Sequence, residues 1–510
     1  MTVIKAVWDH APVDVWIYFQ CILIIFIIYS LYLFKDNFKI LYFILTLDGP
    51  SVIPFLGNIN YVFDKNLLFK MSHIIYQLYG PIFRIWLTVF PFVVVLEPED
   101  IKKVLGNPRN SSKVFLYGFL QNFLGKGLLT SDVETWKSHR KIMQPAFHLN
   151  VLDKFVGSFN HSARKLVESF SSAGECPTDI TNVINDCVYE VLNETVIGNE
   201  RQPGNKLLNS KDSPFRQGQI SLFYRLSHPW LIFDCFYKKT DVGKKEDRHY
   251  QVLFDACKSK INNNDELNNN NNDNDNDCNG NSLLEFMIKT STKNLEFTEQ
   301  DIVNECCTFM LAGQDSVGST LAMTLFMLAK HQKWQSKCVG ELDEIFGCDS
   351  RDPNLKDLKD MRYLEMVIKE TMRLYPSVPM LGRVLGEDVK IGKHVIPKGC
   401  SVLIFPQTTH RLSHHYPNPH EFNPENFNSD NSAKRHPYAY LAFSAGSRNC
   451  IGYKFALLEM KSIISKVLRH CQLEPVPGKE ELVTKFRVTA RAKGGIWIKI
   501  KPRMSYQVYN

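Results

Sequence analysis

The chain has no CxxC pair and no regular spacing among its 13 cysteines. That excludes a disulfide-stapled scaffold, and most of the cysteines, including adjacent Cys306 and Cys307, read as small buried apolar residues. No arginine-rich run or RNA-binding signature is present, which argues against nucleic acid as a partner. No internal repeat is found, so a solenoid array is excluded. The first apolar stretch has no small-residue cleavage site behind it, so it does not read as a cleaved signal peptide.

What is present is a 510-residue chain with 44% hydrophobic and 22% charged residues, enough apolar material for a large core. Its net charge of +7 is mildly basic and suits an acidic protein partner or an acidic membrane surface. Val15 to Phe34, VWIYFQCILIIFIIYSLYLF, carries no charge. About twenty residues at about 1.5 Å each span roughly 30 Å, the thickness of a bilayer core. Lys35, Lys39, Lys65 and Lys70 follow it, which places the body on the cytosolic side. The expected organisation is therefore a transmembrane anchor in 1–34, an interfacial segment and proline-rich hinge in 35–60, and one catalytic domain in 61–510. Residues 262–281, nearly all Asn and Asp, read as a disordered loop within that domain. The body reads as mainly helical, with strands near Ile82–Leu96, Val389–Phe405 and Phe486–Ile500.

Phe443 to Lys461 reads FSAGSRNCIGYKFALLEMK. Gly446 permits a positive φ, so a strand-like PYAYLAFS segment can turn sharply before Cys450. Beyond it Ile451, Phe455, Leu458 and Ile463 recur at helical spacing, which puts Cys450 at a helix N-terminus that favours a thiolate. With no second cysteine or histidine nearby, tetrahedral zinc is a poor match, and a metal whose other positions are already filled is a better one. A nucleophilic cysteine and a core cysteine in a glycine-rich turn are the competing readings of the residues alone. A buried acid, Asp315, also stands out in the apolar run CCTFMLAGQDSVGSTLAMTLFMLAKH. HRLSHH, His410 to His415, brings histidines together but lacks further ligands at metal spacing.

FSAGSRNCIG resembles the FxxGxRxCxG haem loop of the cytochrome P-450 monooxygenases. Four further motifs follow that family's order over nearly the whole chain after the anchor: WKSHR, AGQDS, KETMR and HEFNPENF. LYPSVPMLGR and the cysteine loop are most similar to the microsomal branch that includes fatty-acid ω-hydroxylases. The resemblance implies the cytochrome P-450 fold, with haem b (iron protoporphyrin IX) between two long helices. Cys450 would be the iron ligand, Phe443 would pack beside the sulfur, and Gly452 would let backbone approach the porphyrin. Trp136, Arg140, Arg383 and Arg448 would meet the haem propionates. Glu370 and Arg373 would form a buried pair shaping the proximal pocket. The network's usual third arginine is replaced by Asn426, which brings hydrogen bonds without charge, so a weaker network is expected.

In the oxygen-activation helix Asp315 and Ser316 would hold water and relay protons, while Ala312 and Gly313 would leave room beside the haem. Ser316 stands where threonine is usual and loses the methyl that stiffens the side chain. Ala312 stands where many relatives of this branch carry a glutamate that bonds a haem methyl, so the haem is expected to be held only through the Cys450 bond to iron. The resemblance implies a monooxygenase that takes O2 and electrons from NADPH through NADPH–cytochrome reductase, with cytochrome b5 as a second candidate donor. It would act on a lipophilic fatty acid, sterol or xenobiotic at the endoplasmic reticulum membrane, facing the cytosol. Substrate contacts are expected from Val114–Leu129, 198–238, the oxygen helix, Val378–Leu381 and the turn near Val488. Lys137, Lys141, Lys454 and Lys461 are expected to face the electron donor. Haem-thiolate hydroperoxide isomerisation or dehydration, and haem or lipid binding without turnover, are the alternatives.

Overall fold

The computed structural model describes residues 35–53, 57–58, 74–198, 282–292, 296–486 and 489–503, together with parts of 224–258. The Val15–Phe34 stretch and the 262–281 tract lie outside the described residues. Among those described, no helix is long and apolar enough to cross a membrane.

Among the described residues, the longer helices that frame the site include α1 Lys35–Thr46, α2 Pro98–Leu105, α3 Val133–Met143, α4 Val156–Ala173, α5 Thr181–Leu192, α6 Glu299–Lys330, α7 Gln332–Phe346, α8 Arg362–Leu374 and α9 Tyr453–His470. Helix α6 opens on a capping box, in which Thr298 and Asp301 each bond the other's backbone N–H. It is buried along almost its whole length, as an apolar run without a polar face must be. Helix α8 buries Leu364, Val367, Ile368, Thr371 and Met372 on one side and stops at Leu374, ahead of Pro376. Helix α4 packs on α9 and α5, α5 packs on α6, and α6 also contacts α8 and α9. Their apolar faces merge into one large core.

The main sheet has strands β1 Ile82–Leu87, β2 Phe90–Val95, β3 Leu381–Val384 and β4 Ser401–Ile404, in the order β1–β2–β4–β3. β1 and β2 form a hairpin closing at Leu87 and Phe90, β2 runs parallel to β4, and β4 runs antiparallel to β3. Alternation along β2 sends Val93 and Val95 to one face and Phe92 and Val94 to the other. The first face is covered by Ile44 and Leu47 at the end of α1, which packs this segment onto the sheet. Phe38, Tyr42 and Leu45 of the same helix point outward.

Strands form where the sequence predicts them, with one exception. PYAYLAFS contains a 3-10 turn, Pro437–Ala439, and no strand. Its backbone groups are taken up by side chains instead of a neighbouring strand. The Tyr416 hydroxyl donates to the Ala439 carbonyl at 3.0 Å, and His410 Nε2 accepts from the Leu441 N–H at 2.8 Å.

His410 is fully buried, and its Nδ1 lies 3.1 Å from the Arg373 carbonyl. The imidazole therefore links α8 to the run leading into the cysteine loop, donating from one nitrogen and accepting at the other. Burial, and then the charges of Arg373, Arg411 and Arg435, push its pKa down to about 3, against a favourable bond to the Arg373 backbone. A folded value below the unfolded one means the unfolded chain takes the proton first. The contribution is complete above about pH 6.5 and is lost as pH falls toward 3. Between pH 7 and pH 5 the parent should lose about 2 kcal/mol more unfolding free energy in urea than His410→Gln. Parallel pH profiles for the two proteins would contradict this.

Candidate active site

A cavity of about 370 Å³ lies between α6 and the loop before α9. Cys450 lies deep in the protein, and the surface it leaves open lines this cavity. The loop that presents it is held by the Cys450 N–H, which donates to the Phe443 carbonyl at 2.9 Å. Gly446 has φ of 75°, and a Cβ there would fall 1.8 Å from the Leu105 carbonyl oxygen at the end of α2. Both the turn and the close approach therefore require glycine. Helix α9 starts at Tyr453 with Gly452 as its N-cap, so Cys450 sits just outside the helix mouth. Burial pushes the thiol up, while the Gly452 N–H and the Arg140 charge pull it down.

Cations gather on one side of the cavity. Arg448 is buried, stacks over Trp136 at 4.6 Å, and donates from Nη2 to the Ser131 and Asp132 carbonyls. Its Nε and Nη1 are buried with no hydrogen-bond partner among the described residues. Burial, and then the charge of Arg383, push Arg448 down to about 10, and burial lowers Arg383 as well. Lys113, a residue with no sequence signal beyond its charge, lines the same cavity. Burial and the charges of Arg383 and Arg448 push it well below its usual range. Such a group of cations, two guanidinium nitrogens of it unsatisfied, calls for anionic oxygens. Arg140 is differently engaged, donating to the Asn449 carbonyl and side-chain oxygen at 2.8 and 2.9 Å. It therefore braces the cysteine loop as well as lining the cavity. These residues fit a haem, with a thiol facing an apolar cavity and cations for two carboxylates beside it.

The opposite wall is α6. Ala312, Gly313, Asp315 and Ser316 all line the cavity. Gly313 is also constrained from behind: a Cβ there would meet Leu192 of α5 at 2.7 Å. Asp315 is buried and ion-paired with Arg491, and the Thr489 hydroxyl lies 3.5 Å away. Arg491, on the strand Ala490–Ala492, was not singled out from the sequence. The one clue to it was that a buried carboxylate in an apolar helix demands a cation. The Ser316 hydroxyl donates to the Ala312 carbonyl one turn back at 2.6 Å, not to Asp315. Helix α3 is fastened to α6 by His139 and Glu305, 2.7 Å apart and both buried. The other Glu305 oxygen accepts from the Leu128 N–H at 3.1 Å, which fixes the wall at Leu128 and Leu129.

Of the expected substrate regions, Leu116, Leu128, Leu129, Val378, Met380 and Leu381 line the cavity. Most of 198–238, and Val488 itself, lie outside the described residues, though neighbouring Thr489 is a lining residue.

Behind the cysteine loop, Glu370 and Arg373 are fully buried and joined by two bonds of 2.7 and 2.8 Å. The remaining guanidinium N–H groups reach the carbonyls of His410, Pro419 and Glu421. Asn426 does join the network, donating to Glu370 Oε1 at 3.2 Å. A cation absent from position 426 is present nearby in Arg435, which bonds the Asn426 carbonyl and lies over the Tyr416 ring at 4.4 Å. Charge therefore is not missing from this corner.

One expected docking lysine is ruled out. Lys461 is buried, ion-paired with Glu365 at 2.5 Å and bonded to the Leu358 carbonyl. Helical spacing alone put it among polar positions, and the cost of burying it is offset by that carboxylate. Lys137 and Lys141 are exposed, and Lys454 is half-buried.

A model of the family described as Cytochrome P450 matches residues 47–498. The chain is 45% identical over 465 residues to "Probable cytochrome P450 4aa1" of Drosophila melanogaster, covering 90% of each chain. It is 35% identical to "Cytochrome P450 4c3" of the same organism, covering 98% of this chain and 96% of that one. It is 34% identical to "Cytochrome P450 4V2" of Homo sapiens, covering 83% of this chain and 82% of the relative.

Proposed function

The chain belongs to the cytochrome P450 family, and we propose that it is a membrane-anchored haem-thiolate monooxygenase hydroxylating a lipophilic substrate such as a fatty acid. The observation that carries this reading is Cys450, turned into an apolar cavity lined by Lys113 and the half-satisfied Arg448, with the charge of buried Arg383 acting on both. Haem b bound through a cysteine thiolate supplies the activation of O2 and the insertion of one oxygen atom. Everything else falls to the chain's own side chains.

Cys450 would hold the iron as a thiolate, the form that the Gly452 N–H and the Arg140 charge favour. Arg448, stacked on Trp136, and Lys113 would hold the propionates, with Arg383 adding positive charge behind them. The apolar walls exclude water and give the substrate little to hydrogen-bond, which suits a long hydrocarbon. Asp315 is ion-paired with Arg491, and a carboxylate so placed would take up a proton on leaving that partner and pass it toward the cavity. Ser316 passes them on when its hydroxyl leaves the Ala312 carbonyl. We assign the anchor to Val15–Phe34 and the location to the endoplasmic reticulum, with electrons arriving from NADPH–cytochrome reductase at the face carrying Lys137, Lys141 and Lys454. Cytochrome b5 would use the same face.

Incubation with reductase, NADPH and a panel of fatty acids, sterols and xenobiotics, followed by product analysis, tests the assignment. Hydroxylated product that requires both reductase and NADPH is expected. Rearranged hydroperoxide formed without reductase would instead identify the isomerase chemistry. In the same assay Ser316→Thr should raise the product formed per NADPH, because the added methyl restricts χ1 of the hydroxyl. Unchanged coupling would count against Ser316 as the looser relay. Acidified organic solvent should extract all haem from the protein, since Ala312 offers no carboxylate for a second bond. Haem left on the polypeptide would contradict this.

A further inference from the structure

The loop His410–His415 lacks a further metal ligand at sequence spacing, but the fold supplies one. Glu97, 317 residues earlier, occupies the N-cap of α2 without capping it through its side chain. Its carboxylate turns instead to the loop, where His414 Nε2 lies 3.1 Å from Oε2. The His415 ring is beside it, with centroids 4.4 Å apart. One ligand atom from each of Glu97, His414 and His415 falls within 4.8 Å of the other two. A tetrahedral zinc ion holding nitrogen and oxygen at about 2.1 Å keeps its ligands about 3.4 Å apart, so small side-chain rotations close the set.

A second feature marks the group as built. The Tyr76 hydroxyl donates to the other Glu97 oxygen at 2.5 Å. That bond fixes the carboxylate's orientation and leaves Oε2 for a ligand, the outer-shell arrangement that metal carboxylates use. An ordinary exposed His–Glu ion pair, worth under about 1 kcal/mol, accounts for His414 but not for a second imidazole against it.

We propose that Glu97, His414 and His415 bind a divalent first-row cation, zinc by ligand chemistry, with water completing the tetrahedron. The ion would join three segments: the helical turn 74–79 that carries Tyr76, the start of α2, and the loop running on to Tyr416. Tyr416 packs against the Arg373 guanidinium at 5.0 Å, so the bound ion braces the proximal network from outside without entering the cavity. None of this depends on the reaction assigned above.

Haem-loaded full-length chain, freed of adventitious metal with a chelator, is titrated with zinc chloride against a chromophoric zinc indicator. One zinc per chain is expected, together with a rise in thermal midpoint that grows with zinc concentration. Glu97→Gln and His414→Ala should each weaken binding, and Tyr76→Phe should weaken it by about tenfold through the lost orientation. Magnesium chloride should neither compete nor stabilise, because it favours all-oxygen sites. The haem absorption spectrum reports whether each variant is folded. Absence of stoichiometric zinc, or zinc uptake unchanged in the folded Glu97→Gln, His414→Ala double variant, would overturn the proposal.

Discussion

A sulfur atom that must face an apolar cavity, with protein packed behind it, constrains much of this chain. Burial alone raises the Cys450 thiol, so the surrounding backbone has to bring compensating N–H groups and charge to it. The turn at Gly446 achieves this by pressing the loop against the last carbonyl of α2, where no side chain fits. Arg140, bonded to Asn449, then holds a positive charge beside the sulfur and fixes the loop to α3. The same few residues thus set both the position of the sulfur and its electrostatics.

The two sides of the cavity handle charge in opposite ways. On the cationic side Lys113, Arg383 and Arg448 repel one another and, among the described residues, form no ion pair, with only the more distant pull of Asp132 on Arg448 to offset them, a costly arrangement unless an anion joins them. On the α6 side charge is balanced within the chain, Asp315 by Arg491. Behind the loop the Glu370–Arg373 pair is likewise satisfied on almost every side by backbone carbonyls, which makes it a rigid support. Unbalanced charge is concentrated where a ligand would supply the balance.

The sequence made the cysteine loop, the Glu370–Arg373 pair, the capping box of α6 and the three strand regions legible, because each is a local pattern of fixed spacing. What stayed hidden arises from residues distant in the chain. Arg491 meets Asp315 across 176 positions, and Arg435 reaches the Asn426 corner from outside any motif. Lys461 reads as solvated on a helical wheel and is instead buried against Glu365 of α8. PYAYLAFS alternates like a strand, yet side-chain partners satisfy its backbone, and periodicity does not report those. The tight packing of Gly313 against Leu192 was hidden for a similar reason, since Leu192 lies on another helix.

Ligation by the sulfur is accessible to a single spectrum. Reduced, haem-loaded protein exposed to carbon monoxide should show the red-shifted Soret band of thiolate coordination, and Cys450→Ser should lose it. A parent protein without that band, or a serine variant that retains it, would contradict the placement of Cys450 on the iron.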